Sequence, residues 1–376
     1  MGTNPLIGVI YHWIGGLASA TNFIPFRPIK RWSWEIYWIV QGFAAWIVAP
    51  AVIAYLFVPG LSSILHHAPQ PVLWHSFFWG AMWGVGGLTF GLAIRYLGIA
   101  LGYAIALGFC TAFGTLMPPI FSGQMSTIVR QRGGQVILLG VLICLFAIAV
   151  NGLAGYSKEK EVSAEEKALL GERDYSFAKG LAVAIFAGIM SACFAYGLAA
   201  GKPIAEITRA RLLAKHHALL WQNLPVLVVV LWGGFATNLL WSAVLIFRNR
   251  SARQFLGAPG SNPMGTETDA PDRATGSARL PASVLTRNYL LAALAGVIWY
   301  FQFFFYSMGQ TKMGRYDFSS WSLHMASIII FATLWGIALH EWRDTSLRTR
   351  LLVACGLFLL VGSTVVVGYG NFLVAG

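Results

Sequence analysis

Charge is what this sequence has least of. Only 11% of its 376 residues are charged, and Asp and Glu together number 14. A water-exposed surface carries about 25% charged residues. A deficit of that size excludes an ordinary soluble domain. Cysteine is also scarce. Cys110, Cys144, Cys193 and Cys355 each lie inside an apolar run, and no C-x-x-C spacing occurs. That pattern excludes a thiolate metal site and argues against a disulfide framework. A basic n-region before the first apolar run is missing as well, so this run is expected to be a retained helix rather than a cleaved leader. No cluster of carboxylates, histidines and nucleophiles gathers at one point of the sequence, as a membrane enzyme would need. No cofactor is expected.

Long apolar stretches make up most of the rest, and 57% of the residues are hydrophobic. A hydrocarbon core of roughly 30 Å is crossed by about 20 apolar residues in a helix. Ten runs qualify, at about 4–26, 34–57, 72–95, 98–120, 134–154, 178–200, 219–247, 288–311, 317–341 and 350–373. With no water to satisfy backbone groups, each must be a helix. The expected fold is therefore an all-α membrane protein with ten transmembrane helices.

The net charge of +12 would suggest nucleic acid in a soluble protein. Here the basic residues sit between apolar runs, so the lipid bilayer is the expected partner and nucleic acid is not. The odd-numbered connections hold most of them, including Arg27, Lys30, Arg31, Arg95, Lys158, Lys160, Arg248, Arg250, Arg343 and Arg348. The positive-inside rule then puts both termini outside.

Short segments recur. Gly16-Leu17-Ala18-Ser19-Ala20 returns as Gly188-Ile189-Met190-Ser191-Ala192, and Gly80, Trp83 and Gly98 return as Gly296, Trp299 and Gly314 with the same spacing. The chain reads as five helices plus five, and an odd number per half inverts the second half. Residues 1–154 form the first repeat and 178–376 the second. A charged connection at 155–177 joins them, and a flexible polar loop lies at about 248–286. Inverted repeats of this kind build secondary transporters, with the substrate near the midplane.

Gly80/Gly84, Gly87/Gly91 and Gly98/Gly102 have the spacing of close helix seams. Trp32, Trp34, Trp38 and Trp342 have the positions of an interfacial belt.

Ionisable groups inside the runs are few. His12 and His324 are the deepest, with Asp317, Glu35, His75 and Glu341 nearer the ends. Such groups are costly in hydrocarbon and are candidates for function. Histidine titrates near neutral pH, which suits a carried proton. Asp317 and His324 are seven residues apart and share a helix face. They form a candidate proton path, with His12 beside them. Asp317 could equally cap the ninth helix, and either histidine could be a neutral core residue. Lys202, at the end of the sixth run, could snorkel or function.

A small-ligand site pairs apolar walls with a few placed polar groups. Trp299, Gln302 and Tyr306 fall on one face of the eighth run, His12, Ser19 and Asn22 near one face of the first, and Trp321 with His324 on the ninth. Aromatic faces with Gln, Asn, Ser and His suit a sugar, which presents flat C–H faces and many hydroxyls. The candidate substrate residues are Gln302, Tyr306, Trp299, Trp321, Asn22 and Ser19.

Several stretches carry a resemblance. They include His12-Trp13-Ile14-Gly15, Trp32-Ser33-Trp34-Glu35, Gly80-Ala81-Met82-Trp83-Gly84 and Gly114-Thr115-Leu116-Met117. Lys202-Pro203, the run Gln302–Tyr306, Tyr316-Asp317, Leu323-His324-Met325 and Glu341-Trp342 continue the series, in order along nearly the whole chain. The sequence resembles the L-rhamnose–proton symporter family of the drug/metabolite transporter superfamily. The resemblance implies a ten-helix inverted repeat and uptake of L-rhamnose, or a similar small sugar, driven by protons across a bacterial inner membrane, by a monomer or homodimer. The runner-up is export or exchange of another small metabolite, as relatives in that superfamily perform.

Overall fold

A computed structural model describes residues 3–161, 176–258 and 279–375. Among them there is no strand, and ten long helices carry the fold. These are α1 (Pro5–Thr21), α2 (Trp34–Phe57), α3 (Gln70–Leu97), α4 (Ile99–Phe121) and α5 (Arg132–Glu161), then α6 (Phe177–Ala200), α7 (Leu224–Arg248), α8 (Ala282–Gln310), α9 (Ser320–Ala338) and α10 (Leu347–Ala375). Nine are long and apolar enough to cross a membrane. The exception among the ten expected spans is α1. Its 17 residues reach about 26 Å at the α-helical rise, a little short of a hydrocarbon core.

Local signals explain the boundaries. Asn4 caps α1, its side chain accepting from the Ile7 amide, and Pro5 follows at the first position. Gly98, at φ +86, ends α3 and opens α4, a turn that a side chain would strain. Pro118 and Pro119 lie inside the last turns of α4, which runs on to Phe121. Three further helices, Leu61–His67, Met125–Arg130 and Lys202–Ala214, lie in connections between the long ones. The connection expected at 155–177 is narrower, because α5 continues through Glu161. Residues 162–175 lie outside the described residues, and so does 259–278 of the polar loop.

Packing follows a regular scheme. α1 packs on α8 and α9, and α6 packs on α3 and α4. α2 packs on α8 and α7 on α3, while α4 packs on α5 and α9 on α10. The pairs α2–α7 and α5–α10 also touch. Advancing every helix by five positions, cyclically, carries each of these principal pairs onto another or onto itself. Large apolar side chains such as Leu56, Phe78, Leu142, Phe146, Leu240, Phe247 and Phe358 point outward. So much exposed apolar surface is untenable in water and suits lipid.

The two faces differ. One holds the starts of α1, α7 and α9 and the ends of α6, α8 and α10. There the Asn4 amide donates to the Lys312 carbonyl, and Tyr316 donates to Gln131 just before α5. The opposite face is tied shut. Asn249 Nδ2 and Ser251 Oγ donate to Glu35 Oε1 at 3.1 and 2.8 Å. Asn288 Nδ2 donates to the Lys30 carbonyl at 2.8 Å. Trp335 Nε1 donates to Thr21, and Arg27 approaches Glu341.

Trp32 belongs to this closure rather than to a belt. It is 0% exposed, its Nε1–H donates to the Gln254 carbonyl, and its ring lies 4.8 Å from that of Tyr289. The polar loop supplied the cover, since Ser251–Leu256 forms an ordered 3-10 turn over it. Trp32→Ala is expected to lower stability by about 3–5 kcal/mol, the usual range for emptying a buried aromatic site. Trp342→Ala, at a half-buried ring, should cost much less. Thermal unfolding in detergent compares the two, and equal losses would return Trp32 to the interface.

Candidate functional site

Glycines let three helices meet at the centre. A Cβ on Gly15 of α1 would lie 2.8 Å from the Gln302 carbonyl and 3.5 Å from His324 Cε1. One on Gly309 of α8 would lie 2.8 Å from His12 Nε2. Bare backbone at both positions makes room for two imidazoles in the seam of α1, α8 and α9.

His12 and His324 are fully buried there, with ring centroids 6.4 Å apart. The Tyr306 ring stands 5.3 Å from His12 and 5.2 Å from His324. Trp321 is 5.8 Å from Tyr306 and 6.3 Å from His324. Its indole is held by a 3.0 Å bond to the Cys110 carbonyl and lies against Gly114, where a side chain would displace it.

Among the described residues none of the four imidazole nitrogens has a hydrogen-bond partner, and Gln302 Nε2 has none either. A buried polar group without a partner costs about 1–3 kcal/mol. Three such side chains in one seam do not serve stability. Two imidazoles this close also repel when both are charged, so two protons at once are disfavoured.

Toward the open face lies a cavity of about 250 Å³, lined by Lys202, Glu206, Arg209, Asn223, Gln310 and Asp317 among others. Two polar bridges cross it. Lys202 Nζ stands 3.8 Å from Asp317 Oδ2, linking the end of α6 to the turn before α9. Asn223 Nδ2 donates to Gln310 Oε1 at 3.2 Å, linking α7 to α8. Asp317 lies in the 3-10 turn Gly314–Ser319, and the residue preceding α9 is Ser319. Capping is therefore not what Asp317 does.

The expected residues divide into four groups, of which Asp317 in the vestibule is one. His12, His324, Tyr306 and Trp321 form one ring cluster, with the Gln302 backbone against it. Trp299 belongs to a neighbouring aromatic cluster, 5.8 Å from Trp83 and 5.1 Å from Phe303. Phe303 in turn is 6.0 Å from His324, so the two groups are continuous. Ser19 and Asn22 stand apart. Asn22 Nδ2 donates to the Ser19 carbonyl at the far end of α1, about 10 to 15 Å along the axis from His12.

Gln310 and Asn223 were missed. Extending the stripe Trp299, Gln302, Tyr306 by one helical turn reaches Gln310, so a signal existed. For Asn223 there was none.

Comparison with known proteins identifies the family. The profile of the L-rhamnose-proton symport protein (RhaT) family matches residues 1–254 and 274–372. The chain belongs to the L-rhamnose-proton symport protein family. Similar members include an L-rhamnose-proton symporter of Mannheimia succiniciproducens, 34% identical over 373 residues, covering 98% of this chain and 99% of the relative. An L-rhamnose-proton symporter of Escherichia coli (strain 55989 / EAEC) is 31% identical over 365 residues, covering 97% of each. One of Yersinia pestis (strain Pestoides F) is 31% identical over 366 residues, covering 97% of this chain and 98% of the relative. Membership makes the chain a transporter rather than an enzyme. The seam sets two imidazoles beside the Tyr306 and Trp321 rings.

Proposed function

We propose that this chain imports L-rhamnose together with a proton across a bacterial inner membrane, by alternating access. The observation that carries the reading is the pair of buried, unpartnered imidazoles on either side of Tyr306, below an open polar vestibule. His12 and His324 hold the proton, and Asp317, paired with Lys202 in the vestibule, hands it inward. Gln302, Tyr306, Trp299 and Trp321 hold the sugar. Ser19 and Asn22 would meet it only on its way out at the opposite face.

Ten crossings follow if α1, extended by the turn at Ile24–Phe26, is counted as a span. The exchange of helix pairs on advancing by five supports a 5+5 inverted repeat of the drug/metabolite transporter kind, divided near residues 155–177. The basic residues gather at the tied face, which supports a cytoplasmic placement of that face. The termini and the vestibule are then periplasmic.

Uptake of radiolabelled L-rhamnose into proteoliposomes, acid outside, tests the reading. Accumulation above equilibrium that a protonophore abolishes is expected. Equilibration alone would overturn the coupling, and export of a different solute in the same vesicles would favour a metabolite exchanger.

Asp317→Asn probes the proton route. The pair with Lys202 is partly solvent-exposed, so its loss should change stability by no more than about 1 kcal/mol. Proton-driven uptake should nevertheless slow, with counterflow of sugar against sugar retained. Unchanged driven uptake would remove Asp317 from the route.

A further inference from the structure

The wall of the aromatic cluster across from the histidines contains an irregular turn in α2. Residues Phe43–Val48 are π-helical. Such wide turns are rare and gather at functional sites, because they re-aim side chains that a regular helix would place elsewhere. Here Gln41 lies two residues before the turn and Trp46 within it, so both lie at the point where α2 widens. The Trp46 indole folds back over Gly42, where a Cβ would lie 2.6 Å from its ring. Across from them Gly296 of α8 lets the two helices close, since a Cβ there would meet the Gln41 carbonyl and lie 3.0 Å from Ala44.

Three tryptophans face one another at this point. Trp83 and Trp299 stack at 5.8 Å and 29°. Trp46 stands edge-on to both, 6.1 Å from Trp83 and 5.5 Å from Trp299. Trp46 Nε1 and Gln41 Oε1 are both buried, and neither has a hydrogen-bond partner among the described residues. The neighbouring polar groups behave differently. Trp38 Nε1 donates to Asn238 Oδ1 at 3.1 Å, and Asn238 Nδ2 donates to the Gly234 carbonyl at 2.9 Å. The fold can therefore satisfy an indole and an amide in this wall. It leaves one donor and one acceptor over.

A hydroxyl group needs one of each, because it donates once and accepts. The surrounding aromatic faces suit the C–H face of a pyranose. We propose that Gln41 and Trp46 form a hydroxyl-reading subsite for the transported sugar, walled by Trp83 and Trp299. The subsite rests on the import reading and adds α2 to a site otherwise built from α1, α8 and α9. Phe303 joins the two parts, lying 5.8 Å from Trp83 and 6.0 Å from His324. The Phe303 ring thus stands between the Trp83 wall and the His324 imidazole.

Gln41→Met keeps the side-chain length and removes the acceptor. In proteoliposomes it should raise the KM for L-rhamnose about tenfold or more, as expected when a polar substrate group loses its buried partner. The accumulation ratio at saturating sugar should be unchanged, because the proton groups are untouched. The melting temperature of the purified variant, without sugar, should be equal to or above that of the unmodified protein, since an unpartnered acceptor has been removed. Trp46→Phe should act on KM in the same direction. The double variant should be little worse than the poorer single one, as two residues serving one hydroxyl are non-additive. An unchanged KM in Gln41→Met overturns the subsite, and so does a raised KM accompanied by a lowered melting temperature. If the unmodified protein moves no L-rhamnose, the import reading fails separately. The Gln41→Met comparison is then made by thermal-shift binding with whichever monosaccharide of a panel stabilises the unmodified protein. Equal stabilisation of both proteins would overturn the subsite for that sugar too.

Discussion

Replacing His324 with glutamine is expected to give a carrier that equilibrates L-rhamnose but no longer concentrates it. Glutamine fills a similar volume and keeps a donor and an acceptor, so what is lost is titration. His324 is fully buried in α9, faces His12, Tyr306, Trp321 and Phe303, and has no hydrogen-bond partner among the described residues. Nothing in that shell supplies a compensating negative charge by direct contact. A proton taken up there is held only while the sugar and the vestibule permit it, which is the differential interaction that coupling requires. At one proton per sugar, each pH unit of gradient supports about a tenfold accumulation, equivalent to about 1.4 kcal/mol. The variant should lose this dependence on the gradient while exchange of labelled for unlabelled sugar persists. Full accumulation by His324→Gln would shift the proton to His12 or Asp317. Loss of exchange together with accumulation would mean that His324 holds the seam rather than the proton, and His12→Gln would be the informative comparison.

Much of this was legible in the sequence, and what was not has identifiable causes. Helices in lipid must satisfy their own backbone, so the limits of α2, at 34–57, and of α6, at 178–200 against Phe177–Ala200, followed from hydropathy alone. The depth of His12 and His324 also followed, because a titratable residue in mid-run has nowhere to go but inward. Which groups it meets there did not follow. The bond from Trp32 to Gln254 joins residues 222 apart, and no periodicity announces it. The partner of Lys202 lies more than a hundred residues away on another helix. The wide turn at Phe43–Val48 is hidden too, since its sequence is as apolar as any other stretch of a spanning helix. Ser19 and Asn22 share a helix face with His12, but a shared face does not fix depth. At 1.5 Å per residue they run past the seam to the opposite end of the bundle.

Glycine spacing shows the same division between pattern and partner, and it yields the other large effect. Gly80/Gly84 and Gly87/Gly91 read alike in sequence, yet only the first pair forms a seam. A Cβ on Gly80 would fall on the Val230 carbonyl oxygen, and one on Gly84 would lie 2.9 Å from that of Gly234. Gly233 answers from α7, pressing on the Phe77 carbonyl. The contact is backbone against backbone, so no side chain can rotate away. Around Gly87 and Gly91 there is nothing within 4 Å. Gly80→Val must therefore push α3 and α7 apart along their length. Overpacking of a side-chain core already costs about 1–3 kcal/mol, and displacement of a backbone seam should exceed that range. Loss of monodisperse protein in detergent is expected. Gly87→Val adds the same side chain to the same helix and should leave both the melting temperature and L-rhamnose uptake close to those of the unmodified protein. It should even help slightly, since a glycine in mid-helix is weaker than residues with a side chain. If both variants failed alike, the helix rather than the seam would be the sensitive element. If Gly80→Val folded and transported normally, α3 and α7 would not be in the close contact that shapes the Trp83 wall of the aromatic cluster.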